Sequence, residues 1–372
     1  MKIAFVYDRA NKIGGAERVL VALHELYPDA PLFTLVHDPQ RAPWSNGWQV
    51  ITSFMQHMPF AKKYHELYPI IPVFAFEMFD FADFDVVISV TATEAKGIIT
   101  RPKTMHVSYI LTPTRFLWSH FDEYFRSPIF KFIASPLIAG LRMWDMIAAG
   151  RPDVLITISK SVNERIKKYY KREAEVIYPP VDTAMFKAQK VNHLRKSVNL
   201  RKNYFLIVSR LVRYKRIDLA IEACNKLNLQ LKIVGDGLDK GRLERLAGLT
   251  IEFLGNLTDD DLCAYYQNCR ALLFPQEEDF GIAALEALAC GKPVIAFKRG
   301  GVQEIILEGR NGEFFEPQTA KALITKLEKF AEDKYSATFC RQSIEPYSKK
   351  NFKKKWSQMI NTLWLKYKES YI

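Results

Sequence analysis

Short apolar runs alternate with amphipathic segments along most of the chain. The strands that this pattern predicts in the first half are 2–7, 31–36, 48–52, 85–90, 105–110, 153–158 and 174–178. A second alternation of strands and helices starts at Tyr204 and continues through a strand at 293–297. Alternating strands and helices are typical of doubly wound parallel α/β domains. The sequence therefore predicts two Rossmann-like domains, one after the other.

The boundary between the two domains is predicted at Pro179-Pro180, because paired prolines end a strand and hold the chain extended. We therefore assign residues 1–180 to the first domain and residues 181–349 to the second. The aromatic-rich segments 55–82 and 115–150 are predicted to be helical excursions around the first domain.

The composition is that of a globular protein, with 372 residues of which 48% are apolar and 25% charged. The most apolar stretches, 70–79 and 129–149, carry charged residues such as Glu77 and Lys131 and fall short of the roughly 20 apolar residues that a membrane span needs. The N-terminus enters directly as a strand without the regions of a signal peptide, which favours a cytoplasmic location.

The cysteines predict no metal site and no disulfide framework. There are five of them, an odd number, without a C-x-x-C pair, so we interpret them as reduced core thiols.

The net charge of +12 is compatible with nucleic acid, anionic lipid and polyphosphate ligands. Nine basic and two acidic residues follow from Lys334 to the end. Lysines of the stretch 349–355 interleave with Phe352, Trp356 and Trp364, as in a basic helix that lies on a membrane surface. The alternative is a terminal helix that packs its aromatic side chains on the fold and leaves its lysines in water.

Two acidic residues, Glu278 and Glu286, provide the sharpest chemical signal. The first is predicted in a loop after an apolar strand, and the second inside the helix that the loop enters. The helix is predicted to begin near Phe280, so Phe280, Gly281 and Ile282 present backbone N–H groups at a helix N-terminus, which suits an anion. The two carboxylates can accept hydrogen bonds from sugar hydroxyls, and the helix end beside them can face a phosphate. This combination suits a sugar nucleotide.

Basic residues and glycines are predicted at the ends of other strands. Arg210 and Lys215 flank the loop after strand 204–208, at the edge where open α/β sheets bind ligands. A guanidinium and an ammonium together suit a diphosphate. Gly235 follows strand 229–234, and the Gly14-Gly15 pair follows the first strand.

Several of these segments resemble the donor-binding region of the retaining GT-B glycosyltransferases of family 4. The matching stretches are Ser209-Arg210-Leu211 with Lys215, Pro275 to Gly281, Leu285-Glu286-Ala287, Gly291 to Ala296 and Gly300-Gly301. The resemblance implies the GT-B fold, with two Rossmann-like domains that face each other across a cleft. It also implies that the C-terminal helix, about 350–372, returns to pack on the first domain.

The same resemblance implies roles for the singled-out residues. Arg210 and Lys215 hold the donor diphosphate, and Glu278 contacts hydroxyls of the transferred sugar. Glu286 accepts from the ribose, and the amides of 280–282 support phosphate or sugar oxygens. The neighbourhood of Gly235 would receive the base. The Gly14-Gly15 loop faces donor phosphate and acceptor, which makes Glu17 a secondary acceptor-side candidate.

The segment from His106 to Trp118 is similar to one in lipopolysaccharide-type mannosyltransferases. It departs from the pattern at Leu111, where relatives often carry histidine, and Ala92 is a second such departure. Acceptor-side candidates in this region are Lys96, Arg115 and His106, with a buried structural role as the alternative for His106.

The resemblance implies a transferase that moves α-mannose from GDP-mannose to a glycan or lipid-linked saccharide with retention, without a metal and without a cofactor beyond the donor. Asp259-Asp260-Asp261 follows Thr258 and is interpreted as helix capping rather than as a metal motif. The partners expected are the nucleotide sugar, the saccharide acceptor and an anionic membrane surface, which would place a cytoplasmic protein peripherally on the inner face.

Three alternatives differ in class. A UDP-sugar donor, with glucose or N-acetylglucosamine, would use the same site. A nucleotide-sugar epimerase has a similar two-lobed shape but should not carry both acidic and basic motifs. A basic nucleic-acid-binding protein would explain the charge, but its carboxylates would repel phosphate backbones.

Overall fold

The computed structural model describes residues 1–119, 121–125, 127–187 and 203–370. The chain divides into two compact units. Unit 1 contains Met1–Pro179 and Phe352–Ile372, and unit 2 contains Pro180–Asn351. The last two residues of the predicted C-terminal helix, 371 and 372, lie outside the described residues.

Unit 1 is built on a seven-stranded parallel sheet with the order β3-β2-β1-β4-β5-β6-β7. Its strands are β1 (Ile3–Tyr7), β2 (Leu32–Thr34), β3 (Val50–Thr52), β4 (Val86–Thr91), β5 (Met105–Ile110), β6 (Val154–Thr157) and β7 (Glu175–Val176). Every residue of β1, β4 and β5 is buried. Central strands of a parallel sheet are covered on both faces, which explains why β1 is an uninterrupted apolar run rather than an alternating one.

Unit 1 has helices α1 (Gly15–His24), α2 (Ile71–Glu77), α3 (Phe121–Tyr124), α4 (Pro128–Gly150) and α5 (Lys160–Tyr170). The prediction of a helical excursion over 55–82 is largely wrong. The regular α-helix there is α2, and the preceding residues form short 3₁₀ turns at Phe54–His57 and His65–Leu67. Pro59 and Pro69 explain this, because proline removes a helical hydrogen bond and clashes with the preceding turn.

Within α4, the stretch Lys131–Gly150 is, among the described residues, the one helical window long and apolar enough to cross a membrane. The sequence pattern did not predict a span here. The inner side of α4 packs Ile138 and Leu141 against Val73 and Leu117, and 28% of the window is buried. Length and composition do not by themselves distinguish a span from a helix that lies on a domain surface.

Unit 2 is built on a six-stranded parallel sheet with the order β10-β9-β8-β11-β12-β13. Its strands are β8 (Tyr204–Val208), β9 (Gln230–Val234), β10 (Ile251–Gly255), β11 (Leu272–Phe274), β12 (Val294–Phe297) and β13 (Gly312–Phe315). Its helices are α6 (Ile217–Leu227), α7 (Lys240–Leu246), α8 (Asp259–Asn268), α9 (Ile282–Ala289), α10 (Ala320–Glu328) and α11 (Ala337–Ser343). Its core packs α6 and α10 on the sheet.

The prediction that Asp259-Asp260-Asp261 caps a helix is confirmed. These residues form the first turn of α8, and the Thr258 hydroxyl accepts from the Asp261 amide at 3.2 Å. All five cysteines are buried and free of disulfides.

The last helix, α12 (Lys349–Glu369), buries Phe352, Trp356 and Ile360. The Trp356 ring meets the edge of Tyr109 with 5.4 Å between centroids. Lys354 and Lys355, in contrast, are exposed. The aromatic side chains therefore pack on the fold, and a membrane-surface role that would need them free is not supported.

One buried group of unit 1 predicts a specific dependence of stability on pH. His106 in β5 is fully buried, its Nε2 lies 2.9 Å from the Ser89 hydroxyl, and burial lowers its pKa to about 3. Above pH 6.5 the His106 side chain is neutral in both the folded and the unfolded chain. As the pH falls below 6.5 the unfolded chain binds a proton that the folded chain refuses, so stability declines by about 1.4 kcal/mol per pH unit until about pH 3.

Between pH 7 and pH 5 we therefore expect the free energy of unfolding of the wild type to fall by about 2 kcal/mol more than that of His106→Gln, whose side chain cannot titrate. All six tryptophans lie in unit 1 (Trp44, Trp48, Trp118, Trp144, Trp356 and Trp364), so urea unfolding followed by tryptophan fluorescence reports on that unit alone. Equal losses in the two proteins would contradict the prediction.

Candidate functional site

In unit 2, the predicted donor residues gather where β8, β9 and β11 end. Arg210 and Lys215 follow β8, Gly235 follows β9, and Glu278 follows β11. The carboxyl ends of parallel strands meet at one edge of the sheet, where ligands of open α/β folds bind. The order β9-β8-β11 places these three loops side by side.

Lys215 and Glu278 form an ion pair between the first and the last of these loops. The Lys215 side chain is 7% exposed and that of Glu278 20%. A cation and a carboxylate that lose most of their water need a partner of opposite charge or a ligand that replaces it. The pair therefore holds both groups in place at the mouth of the site.

Tyr214 joins the two predicted cations. Its hydroxyl accepts a hydrogen bond from Arg210, and the Lys215 ammonium lies 5.3 Å from the centre of its ring. Arg210 itself is exposed, so its guanidinium faces solvent beside the more deeply placed Lys215. The helix after this loop starts at Ile217, because Arg216 takes a left-handed conformation with φ 50°.

The N-terminus of α9 also starts later than predicted, at Ile282 instead of near Phe280. Gly281 precedes it with φ 121°, a backbone region that favours glycine. Among the described residues, the N–H groups of Gly281, Ile282 and Ala283 donate to no acceptor. These three amides lie one residue further along the chain than the predicted set, 280–282, and the Phe280 side chain is buried near Tyr347.

Two glycines hold the loop before α9 in position. The Gly301 amide donates to the Glu278 carbonyl at 2.9 Å, and a Cβ on Gly300 would lie 2.2 Å from the same carbonyl oxygen. Glu278 thus has a fixed backbone, since its loop runs directly against the turn after β12. The close approach of these two loops explains why residues 300 and 301, which form part of the family resemblance, are both glycine.

Glu286 is the fifth of the eight residues of α9 and is 4% exposed. Its Oε2 accepts a hydrogen bond of 2.9 Å from the Tyr266 hydroxyl of α8. A nearly buried carboxylate with a fixed donor on one oxygen presents a defined direction to any further hydroxyl. Glu286 follows the start of α9 by four residues, about 6 Å along the helix axis.

Gly235 lets two of the loops pack together. Its φ is 126°, and a Cβ there would lie 2.0 Å from the carbonyl oxygen of Ser209. Any larger residue would push the end of β9 away from the loop that carries Arg210.

In unit 1, Glu17 lies in the first turn of α1 and is buried with Tyr7, whose hydroxyl donates to it. Burial and the Glu17 carboxylate together raise the pKa of Tyr7 well above its ordinary value. Gly14 is extended rather than left-handed, and a Cβ there would approach the Glu17 carboxylate to 3.1 Å. Gly15 is the first residue of α1. The glycine loop therefore leaves room for the carboxylate of Glu17.

Lys96 follows β4 but is 1% exposed, and its ammonium lies 2.6 Å from the Asp145 carboxylate. Burial alone would lower the Lys96 pKa, yet the charge of Asp145 and the other groups around it raise it above the ordinary value. Asp145 also accepts from Thr114, Trp118 and Tyr170, at 2.7–2.8 Å. The predicted acceptor-side role of Lys96 is thus replaced by a structural one, because its charge is already neutralised inside the unit.

His106 requires a correction as well. It is the second residue of β5, about 13 Å along the strand from its last residue, Ile110. A fully buried side chain at the amino end of a strand cannot reach an acceptor at the carboxyl edge, so the buried structural alternative applies. Arg115 lies half-buried in the loop after β5, where Asp145 holds its neighbours Thr114 and Trp118.

The sequence reasoning missed Tyr214, Tyr266, Asp145 and Asp8. Asp8 directly follows β1, and its carboxylate accepts from Thr91 and from the amides of Ala92, Thr93 and Ala95 at 2.7–3.1 Å. The position of Asp8 at a strand end could have identified it from the sequence, and so could the position of Tyr214 inside the basic loop. Nothing in the sequence points to Tyr266 or Asp145, since their partners are distant in sequence.

Comparison with known proteins gives one family match. The family described as glycosyl transferases group 1 matches residues 190–350, of which residues 203–350 are described in the structure.

Curated relatives are similar at modest identity. An uncharacterized glycosyltransferase of Methanocaldococcus jannaschii is 29% identical over 48% of this chain and 50% of its own. The O-antigen chain mannosyltransferase C of Escherichia coli is 29% identical over 48% and 49%, and the alpha-1,3/1,6-mannosyltransferase of Candida glabrata 26% over 45% and 46%. The chain spans about half the length of the curated relatives it matches.

Solved structures match over nearly the whole chain. An Anabaena protein crystallised with UDP is 19% identical with a TM-score of 0.71, and the match covers 97% of this chain and all of the other. Sucrose-phosphate synthase of Thermosynechococcus elongatus is 17% identical with a TM-score of 0.78, covering 98% and 100%. At these identities the likeness concerns the fold, which is the GT-B fold of two parallel-sheet α/β domains. The chain therefore carries a glycosyl transferases group 1 domain over residues 190–350, within a GT-B fold.

Proposed function

We propose that the protein is a glycosyltransferase that moves α-mannose from GDP-mannose to a glycan or lipid-linked saccharide, with retention of anomeric configuration and without a metal ion. The observation that carries the proposal is the Lys215–Glu278 pair beside the open amides of α9. At one sheet edge, a cation and a helix N-terminus match the diphosphate of a sugar nucleotide, and a carboxylate matches its sugar hydroxyls.

The chemical step that needs help is departure of the nucleoside diphosphate from the anomeric carbon. Negative charge grows on the leaving phosphate oxygens, and Arg210, Lys215 and the amides of Gly281 and Ile282 are the groups that would stabilise it. Fixed donors aimed at developing charge are typically worth several kcal/mol each, because they need no reorganisation during the reaction. In this proposal the diphosphate keeps both electrons of the broken bond, and the acceptor hydroxyl supplies the new oxygen and loses its proton.

The carboxylates orient the donor. Glu278, already fixed by its backbone contact with Gly301, would accept from hydroxyls of the transferred sugar. Glu286, held by Tyr266, would accept from the ribose, and the loop at Gly235 would receive the base. On the acceptor side, Glu17 and Arg115 stay candidates, and the Gly14-Gly15 loop stays a candidate for contact with the donor phosphate and the acceptor.

Mannose is favoured by relatives from Escherichia coli and Candida glabrata that are named mannosyltransferases. The alternative is a UDP-sugar, and a specific observation supports it: the Anabaena neighbour was crystallised with UDP and glucose. A lipid-linked saccharide acceptor would place the protein peripherally on the cytoplasmic face of a membrane.

A thermal-shift panel of GDP-mannose, UDP-glucose, UDP-N-acetylglucosamine and ADP-glucose tests the proposal. A ligand that binds only the folded protein at a hundred times its Kd stabilises by about 2.7 kcal/mol, which raises the melting temperature by several degrees. We expect that rise with GDP-mannose and not with the others. A rise only with UDP-sugars would show that the donor is a UDP-sugar instead of GDP-mannose. The absence of a rise with any nucleotide sugar would reject the proposed function.

A further inference from the structure

Helix α4 exposes an apolar face along nearly its whole length. Phe132 is 84% exposed and Ile133 69%. The other exposed apolar side chains of this face are Ile129, Leu137, Met143, Met146 and Ile147. They recur at helical spacing on one side, and contiguous apolar surface of this kind is rare on a soluble protein unless something covers it.

The charged residues of α4 all have partners on the body of unit 1. Lys131 pairs with Asp122, Arg142 donates to the Leu117 carbonyl at 2.7 Å, and Asp145 is buried with Lys96. These pairs tie the inner side of the helix to the folded unit, so α4 cannot cross a membrane without breaking them. Its outer face can still enter the boundary layer of a bilayer, as an amphipathic helix does.

The neighbouring helix α2 and the residues directly before and after it continue the same pattern. Ile70, Phe74 and Met78 are exposed at intervals of four residues, whereas Val73 packs inward against Ile138 and Leu141 of α4. The two helices are thus adjacent, and each leaves an apolar side chain row uncovered.

The segment before α2 adds basic and aromatic side chains. Phe60, Tyr64 and Leu67 are exposed, and Lys62 and Lys63 are exposed between them. The Lys63 ammonium lies 5.0 Å from the centre of the Tyr64 ring. Lysine next to interfacial aromatic residues is the composition of surfaces that lie on anionic lipid headgroups.

We propose that the outer faces of α4 and α2, together with the segment Phe60–Ile70, dock unit 1 on an anionic phospholipid bilayer. A lipid surface fits better than a protein partner because, among exposed side chains of α4 from Phe132 to Ile147, Ser135 alone can hydrogen-bond. A specific protein interface needs about one hydrogen bond per 100–200 Å². Hydrocarbon needs none, and the lysines supply the charge complementarity with phosphate headgroups.

This inference deepens the proposed function, since a lipid-linked acceptor would be met at that surface. It replaces the C-terminal tail as the docking element, because α12 buries its aromatic face. Vesicle binding needs neither donor nor acceptor, so its failure and the failure of the nucleotide-sugar panel are separate results.

The test is co-sedimentation of the full chain with vesicles of phosphatidylcholine alone and of an equimolar mixture with phosphatidylglycerol. We expect binding to the mixed vesicles, and a loss of about tenfold or more in partitioning for Phe132→Asn with Ile133→Asn, which removes two large apolar side chains. Lys62→Gln with Lys63→Gln should weaken binding to the anionic vesicles severalfold, and added salt should weaken it further.

The matched control is Leu238→Asn with Leu249→Asn, which changes two fully exposed leucines of unit 2 and should leave vesicle binding unchanged. Unchanged tryptophan fluorescence of the α4 variant confirms that unit 1 is folded. The proposal is overturned if the wild type does not bind the mixed vesicles, or if the α4 variant binds as the wild type does. Sedimentation without lipid that shows a dimer abolished by the α4 variant would assign the face to self-association instead.

Discussion

Glu278→Ala is expected to lower the rate of donor cleavage and sugar transfer by about a hundred- to a thousandfold. The loss of a preorganised group at the reacting centre has an effect of this size. The substitution also removes the partner that holds the Lys215 ammonium, so two of the three parts of the site are disturbed at once. The measurement is nucleoside diphosphate release from the donor identified by the thermal-shift panel.

The adjacent acid provides the control for this prediction. Glu277 carries the same charge, is half-exposed and pairs with Arg299 on the surface, so Glu277→Ala should retain nearly full activity. Lys215→Ala and Arg213→Ala form a second matched pair, because Arg213 lies in the same loop but is 59% exposed. Equal activity in Glu278→Ala and Glu277→Ala, with both proteins folded by circular dichroism, would reject the assigned site.

Asp145→Ala is expected to destabilise unit 1 by about 3–5 kcal/mol, the usual cost of removing one member of a buried ion pair. Lys96 would keep its charge at 1% exposure without its partner. Thr114, Trp118 and Tyr170 would each lose an acceptor. Urea unfolding followed by tryptophan fluorescence measures the change in the unit that contains Asp145.

Two further variants separate the ion pair from a general effect of mutation. Asp122→Ala breaks the exposed pair with Lys131, where Asp122 is 85% exposed, and should cost less than about 1 kcal/mol. Lys96→Met combined with Asp145→Leu removes both charges and should recover much of the lost stability, because no charge is left unpaired. A loss below 1 kcal/mol for Asp145→Ala would show that the pair is not a structural anchor.

The local pattern of the chain was sufficient for the fold class and for most strands. Strands such as Ile3–Tyr7 and Met105–Ile110 are predicted within a residue or two, because the period of apolar residues follows directly from which faces are buried. The start of α9 was predicted less accurately. Gly281 takes a positive φ value before α9 and delays the helix by about two residues, a choice set by contacts between loops.

Motif spacing placed Arg210, Lys215 and Glu278 in loops at the carboxyl edge of one sheet, and the strand order makes those loops neighbours. Their catalytic roles stay predictions until they are measured. Spacing could not reveal that Lys215 and Glu278 pair, since 62 intervening residues separate them and their meeting depends on the order β8-β11.

The chemical groups that lie near the strand ends were determined by the sequence alone, because side-chain type and the apolar pattern of a strand are local properties. Whether each charged side chain is buried, paired or exposed was decided by the tertiary structure. Lys96, like Lys215, follows a strand, yet long-range packing places Asp145 against it, and His106 is buried near the start of its own strand. The energy of a charge depends on its solvation and on neighbours distant in sequence, and only the folded chain supplies both.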